Sequence, residues 1–320
     1  MSQTHVTHLH PADDEPRDLI AEVVALQARD SNLTQAEIAR QSGVGASRLN
    51  QWLRGAYAGD RGKLETEIIR WIDSYQQRQL ESKALPAAPS WITTPSSERV
   101  LAALSYAQVA ADIVLIYGGA GLGKTSATRE YARINPQVHV ATMSPAAAGV
   151  VPALEEVAES LGIKASGGAA RIHRAVIRAL SGSYGLLIVD EAQHLNTQAL
   201  DQMRSIHDTA GVGVALVGNE QVYTAMTGGT RAAYLDRLYS RVGKRVHLAH
   251  ATKGDVDALI AAWEFRGSGC RQLLHDIAAK FGGLRGLTKC LRLASMFAAG
   301  RDEAPNCDDI KAAWRDLGGA

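Results

Sequence analysis

At 320 residues, with 46% hydrophobic and 21% charged side chains, the chain is long enough for two domains and has the balance of a globular protein. A formal net charge of +1 excludes a strong global field toward nucleic acid or membrane, so any such surface has to be local. No apolar run approaches the ~20 residues that span a bilayer, which excludes a membrane partner of that kind, and Cys270, Cys290 and Cys307 lack C-x-x-C spacing.

The three cysteines read as buried thiols of a reducing compartment, which places the protein in the cytoplasm. Residues 1–16 form a polar, acidic leader without a hydrophobic signal core. Its His5, His8 and His10 are a metal-binding tract or, as is more usual in a polar terminus, part of a disordered segment. Residues 17–80 carry helical patterning. Within them "TQAEIARQSGVGASRLNQWLRG" (Thr34 to Gly55) has helix-turn-helix spacing. Thr34 caps a first helix, Ile38 and Ala39 face inward, Gly43 supplies a left-handed turn, and Val44, Leu49 and Trp52 anchor a second helix. That second helix exposes Ser47, Arg48, Asn50, Gln51 and Arg54, side chains of the kinds that read a groove or hold phosphates. A small helical interaction domain would pack in the same way; the exposed residue types favour DNA. Residues 81–97, which contain "SKALPAAPSW", read as a linker.

From 98 to 250 helices alternate with the short apolar strands "IVLIY", "VHVATM", "LLIVD", "VGVALVG" and "RVHLA". This implies an α/β core, a parallel sheet with helices on both faces. The first strand runs into "YGGAGLGKTSAT" (Tyr117 to Thr128), which fits G-x-x-x-x-G-K-[ST], and a helical pattern follows. In that context the backbone of Gly118, Gly119, Ala120, Gly121, Leu122 and Gly123 turns N–H groups toward an anion. The helix start, Lys124 to Ser126, adds its dipole. Lys124 is expected to reach the β- and γ-phosphates of a nucleotide, and the Thr125 hydroxyl to sit on Mg²⁺. Further on, "ARIHRAVIRAL" sets Arg171, Arg174 and Arg178 on one helical face and Ile172, Val176 and Leu180 on another, with Lys164 just upstream. The basic face is a second candidate DNA surface; a solvated helix face has the same pattern.

"GLLIVDEAQHL" (Gly185 to Leu195) is an apolar strand that ends in two carboxylates. Asp190 is expected in the Mg²⁺ shell and Glu191 as the general base that polarises the attacking water. Asn219 ends the next strand, where a polar side chain either bridges that water and the γ-phosphate or caps a loop. In "YLDRLYSRVGKRV", Arg237 and Arg241 lie one helical turn apart, and either suits the charge that builds on a phosphoryl group. Residues 251–320 read as about four helices, and "GGLRGLTKCLRLA" places Arg285 just after a glycine break.

The phosphate loop, "VDEAQHL", "VGN", "RLYSR" and "GGLRG", in that order, resemble an AAA+ ATPase. The resemblance implies ATP and Mg²⁺ as cofactors, Asn219 as sensor 1, Arg241 or Arg237 as a trans arginine finger, Arg285 as sensor 2, and a C-terminal helical lid over 251–320. "DEAQHL" is similar to the branch of transposition ATPases and ExeA-type secretion ATPases. A helix-turn-helix domain joined by a linker to such a module resembles the transposition B family of Mu-like phages. Members of that family bind double-stranded DNA with little sequence preference, form ATP-dependent helical filaments of their own copies, and present target DNA to a phage transposase that they stimulate. Two other functions share these motifs: a transcription regulator with an ATPase switch, and an ExeA-type remodelling ATPase. The lack of transmembrane and peptidoglycan-binding segments counts against the second.

Overall fold

The structure, a computed structural model of the chain, describes residues 17–84, 89–164, 166–227, 238–265, 268–280, 282–301 and 303–319. The leader with its three histidines, and Arg237, lie outside the described residues. The chain divides between Leu85 and Pro86 into two compact units.

In the first unit, α1 (Leu19–Arg29), α2 (Gln35–Ser42), α3 (Ala46–Leu53) and α4 (Arg61–Ala84) close around Val23, Ile38, Leu49, Trp52, Ile68 and Ile72. Thr34 Oγ1 accepts the Glu37 N–H at 3.2 Å and starts α2. Gly43 ends it at φ 74°, a value open to glycine without strain, and the chain turns into α3. The buried Trp52 donates its indole N–H to Glu65 of α4 at 3.2 Å. Helix α4 passes the expected limit at residue 80 and ends at Ala84. The expected linker is shortened from its other side as well. There α5 (Pro95–Ala110) begins at once, because Thr94 and Ser97 cap each other and Pro95 takes the first helical position.

The second unit is built on a five-stranded sheet of β1 (Ile113–Gly118), β2 (Val138–Thr142), β3 (Leu186–Asp190), β4 (Gly213–Gly218) and β5 (Val242–Leu248). The strands lie in the order β2-β3-β4-β1-β5, and every pairing is parallel. Alternation sorts their side chains to the two faces. Ile113, Leu115, Leu187, Val189, Val214 and Leu216 pack under α7 (Val150–Ser160), α8 (Ala169–Leu180) and α9 (Thr197–Ala210). Val114, Ile116, Leu186, Ile188, Ala215 and Val217 pack under α5 and α6 (Lys124–Ile134). Strand β5 begins three residues before the expected "RVHLA". As an edge strand it carries Gly243, Lys244 and Arg245 on partly solvated positions, so its first half has no apolar signature.

After β5 come α11 (Lys253–Ala262), α12 (Arg271–Ala279), α13 (Gly283–Ala299) and α14 (Cys307–Asp316), packed on Leu274, Leu287, Leu291 and Ile310. Here the reading of three thiols fails. Cys270 and Cys307 form a disulfide with Cα atoms 5.4 Å apart, across a sequence separation of 37. The helices bring the start of α14 back beside the turn that precedes α12, a return that linear spacing does not report. Only Cys290 remains a thiol; burial pushes it up to about 11.

Asp255 of α11 is fully buried and ties this helical part to α5. It accepts the Ser96 N–H (2.7 Å) and hydroxyl (2.6 Å) and the Thr252 N–H and hydroxyl (both 2.8 Å). Burial alone would raise its carboxyl, but the donors outweigh it and hold the group below the usual carboxylate range. A depressed folded-state value stabilises the fold above the unfolded value, and that stability is lost as pH falls through the folded one. Asp255→Asn is therefore expected to cost about 2–4 kcal/mol at neutral pH, with the gap closing below about pH 4. Denaturant titrations at pH 7 and pH 3 check this, and a gap unchanged by pH would remove the charge from the account.

Candidate active site

A cavity of about 410 Å³ opens at the C-terminal ends of the parallel strands, where α/β folds hold ligands. It is lined by Ala120 to Ser126 of the glycine turn, Asp190 and Glu191 after β3, Asn219 after β4, and Arg285 of α13. The turn joins β1 to α6, so the N-terminus of α6 faces the cavity. Lys124 Nζ donates to the carbonyls of Gly118 (2.8 Å) and Gly119 (2.7 Å). Burial lowers the affinity of its ammonium for the proton, against the pull of Glu191 and Asp190. Gly121 stands at φ 75°, and a Cβ there would lie 2.0 Å from the Gly282 carbonyl oxygen. Its own carbonyl accepts the Arg285 N–H at 3.2 Å. The glycine turn and the start of α13 are thus in direct contact, and no larger residue fits between them.

Asp190 is buried at the tip of β3. Its Oδ1 accepts the Glu191 N–H at 2.9 Å, while Oδ2 has no hydrogen-bond partner among the described residues. Burial is the main reason that this carboxyl sits above its usual range. The unpartnered Asp190 oxygen and the Thr125 hydroxyl, on residues that line one cavity, suit Mg²⁺, which takes one or two protein oxygens and completes its shell with phosphate and water. The described residues hold no cluster of three or more His, Cys, Asp or Glu of the kind an all-protein metal cage needs.

The remaining expected residues are distributed unevenly. Asn219 lines the cavity, and its Oδ1 accepts the Gln221 N–H at 2.9 Å, capping α10 (Glu220–Thr227). Arg241 does not line it; its guanidinium pairs with Asp208 of α9 at 2.8 Å, and Asp208 also pairs with Arg204. Lys164, Arg171, Arg174 and Arg178 are all exposed, on and just before α8, above the buried Ile172, Val176 and Leu180. On α3 Ser47, Arg48 and Gln51 are exposed and Asn50 is half-buried, and Arg54, the residue that follows the helix, is exposed.

Sequence reasoning missed two contributions to the cavity. The segment expected as linker supplies Ser90, Trp91 and Ile92 to the wall. A Trp-Ile pair in a Pro/Ala-rich stretch was the available signal, since a solvated linker has no use for it. Gln193 also lines the cavity, and its bond to the Asn219 N–H spans a sequence distance that no motif displays.

An AAA domain description matches residues 108–226, the span from the end of α5 to α10. With the cavity over the strand tips and the helices that follow, this makes the chain a P-loop ATPase of the AAA type. The description "Mu B transposition protein, C terminal" matches residues 240–317. The chain is 35% identical over 285 residues to "ATP-dependent target DNA activator B" of Escherichia phage Mu, covering 89% of this chain and 90% of that protein. The protein of the same name from Escherichia phage D108 matches to the same extent. "Mu-like prophage FluMu DNA transposition protein B" of Haemophilus influenzae is 35% identical over 263 residues, 81% and 91% of the two chains. The chain belongs to the family of Mu target DNA activator B proteins.

Proposed function

We propose that this ATPase binds double-stranded target DNA with little sequence preference, assembles on it as an ATP-dependent helical filament of its own copies, and delivers it to a phage transposase that it stimulates. The observation that carries this reading is the identity with target DNA activators over nine-tenths of the chain, joined to a cavity fitted for a nucleotide. No described helix is long and apolar enough to cross a membrane, and a DNA-directed activity belongs in the cytoplasm of a bacterial host.

In this reading Lys124 and the backbone of Gly118 to Ser126 hold the triphosphate, and Thr125 and Asp190 hold Mg²⁺. The metal, when bound, neutralises charge on the phosphates. Glu191 takes the proton of the attacking water, Asn219 orients that water, and Arg285 reaches the phosphates from α13. Arg237 or Arg241 serves the site of a neighbouring copy, and for Arg241 this means exchanging Asp208 for a phosphate. The first unit, a helix-turn-helix domain, meets DNA through Ser47, Arg48, Asn50, Gln51 and Arg54.

The core meets DNA through Lys164, Arg171, Arg174 and Arg178. Cations repeated from copy to copy would neutralise many phosphates without reading bases. Lys164→Glu with Arg171→Glu is expected to weaken ATP-dependent binding roughly tenfold or more on every duplex alike and to flatten its salt slope, with basal ATPase intact. Footprinting on random duplex over a salt series, with microscopy of the same samples, tests the reading. Continuous protection and filaments support it. A short defined footprint would point instead to a regulator, and an unchanged salt slope would move the core's DNA surface elsewhere.

A further inference from the structure

Gln193 lies two residues beyond Glu191, in the short 3₁₀ turn Ala192–His194. Its Nε2 donates to Glu191 Oε2, and its Oε1 accepts the Asn219 N–H at 3.2 Å. A carboxylate only accepts and a backbone N–H only donates, so the two ends of the amide have one possible assignment. Glu191 itself stands at φ 54° and ψ 35°, a left-handed conformation that a residue with a Cβ seldom adopts. Such a conformation persists where its surroundings hold it. Space for the bridge is made at the tip of β4, where a Cβ on Gly218 would lie 2.5 Å from Gln193 Oε1. Glu191, Gln193, Gly218 and Asn219 all line the one cavity.

We infer that Gln193 is a positioning residue for ATP hydrolysis: its amide holds the Glu191 carboxylate and ties its place to the backbone at Asn219. The inference rests on Glu191 as the general base. A base acts only from within hydrogen-bond reach of the water, and a flexible carboxylate on a short turn has several places to be. One amide fixes that place and makes it depend on the tip of β4, so whatever displaces Asn219 displaces the base. Neither alanine nor glutamate at 193 does both. Alanine makes neither bond; glutamate has the same shape but cannot donate to a carboxylate and sets a like charge beside it.

Five full-length chains decide the matter: wild type, Gln193→Ala, Gln193→Glu, Glu191→Gln and the double variant Gln193→Ala/Glu191→Gln. Each is measured for kcat by phosphate release and for nucleotide affinity with a fluorescent ATP analogue. Gln193→Ala is expected to lower kcat roughly ten- to a hundredfold, the scale of a misplaced catalytic group, with affinity within about twofold of wild type. Gln193→Glu, which keeps the shape, should fall further. In the Glu191→Gln background, Gln193→Ala should have no added effect, because there is no base left to place. Wild-type turnover in both Gln193 variants overturns the inference. So does a further fall of kcat in the double variant, or a loss of nucleotide affinity in both Gln193 variants, since either marks a structural part only. Wild-type turnover in Glu191→Gln alone would remove the base assignment itself, an outcome separate from the others.

Discussion

Lys124→Ala should raise the dissociation constant for ATP by roughly 10²- to 10³-fold, equivalent to about 3–4 kcal/mol for lost charge-assisted bonds to phosphate. The structure gives two reasons for so large an effect. The ammonium already rests on the Gly118 and Gly119 carbonyls, so binding a phosphate demands little rearrangement of the side chain. Without it, those two carbonyls present partial negative charge toward an anion held otherwise by backbone N–H dipoles. Nucleotide-dependent DNA binding should be lost with it. Calorimetric titration of the folded variant with ATP and Mg²⁺ is the check, and an unchanged affinity would sink the assignment of this turn to phosphate.

Glu191→Gln is expected to leave nucleotide affinity intact and to lower phosphate release by roughly 10²- to 10³-fold, the range that a general base contributes. An amide of the same size accepts a hydrogen bond but not the proton of the water. With ATP held and unspent, DNA complexes should outlive those of wild type if hydrolysis drives disassembly. Rapid-quench phosphate release and the decay of DNA complexes after dilution are the two measurements. Wild-type turnover would show that another group takes the proton.

How much of this was legible in the sequence follows from how local each feature is. The phosphate turn needs an apolar strand, glycines and a helix start within one short run, and all three stand next to one another at Asp112 to Ile134. The same holds for Thr34, Gly43 and Trp52 in the first unit, where cap, turn and anchor share a single stretch. Asp190 and Glu191 were legible because a fully buried strand ends in two charges, which burial permits only at a tip. What escaped depends on distant partners. The Cys270–Cys307 bond, the Arg241–Asp208 pair and the Gln193 bridge to Asn219 join residues that only the packed helices and strands bring together. The wall contributed by Trp91 and Ile92 was hidden by composition, since prolines and alanines around them read as a spacer.

The strand order has a consequence for synthesis on the ribosome. Strand β1, which carries the phosphate turn, pairs with β4 and β5 and with no strand nearer in the chain. Between Gly118, the last residue of β1, and Gly213, the first of β4, a ribosome working at ~5–20 residues per second needs roughly 5–20 s. Through that interval Ile113 to Ile116 are apolar on both faces and have no sheet to join, whereas α1 to α4 need only one another and are complete by Ala84. The nascent chain is thus a finished helical domain trailing an unpaired, adhesive strand, the state in which aggregation competes with folding. Slow translation before β4 should therefore harm the yield of the native ATPase more than slow translation after β5.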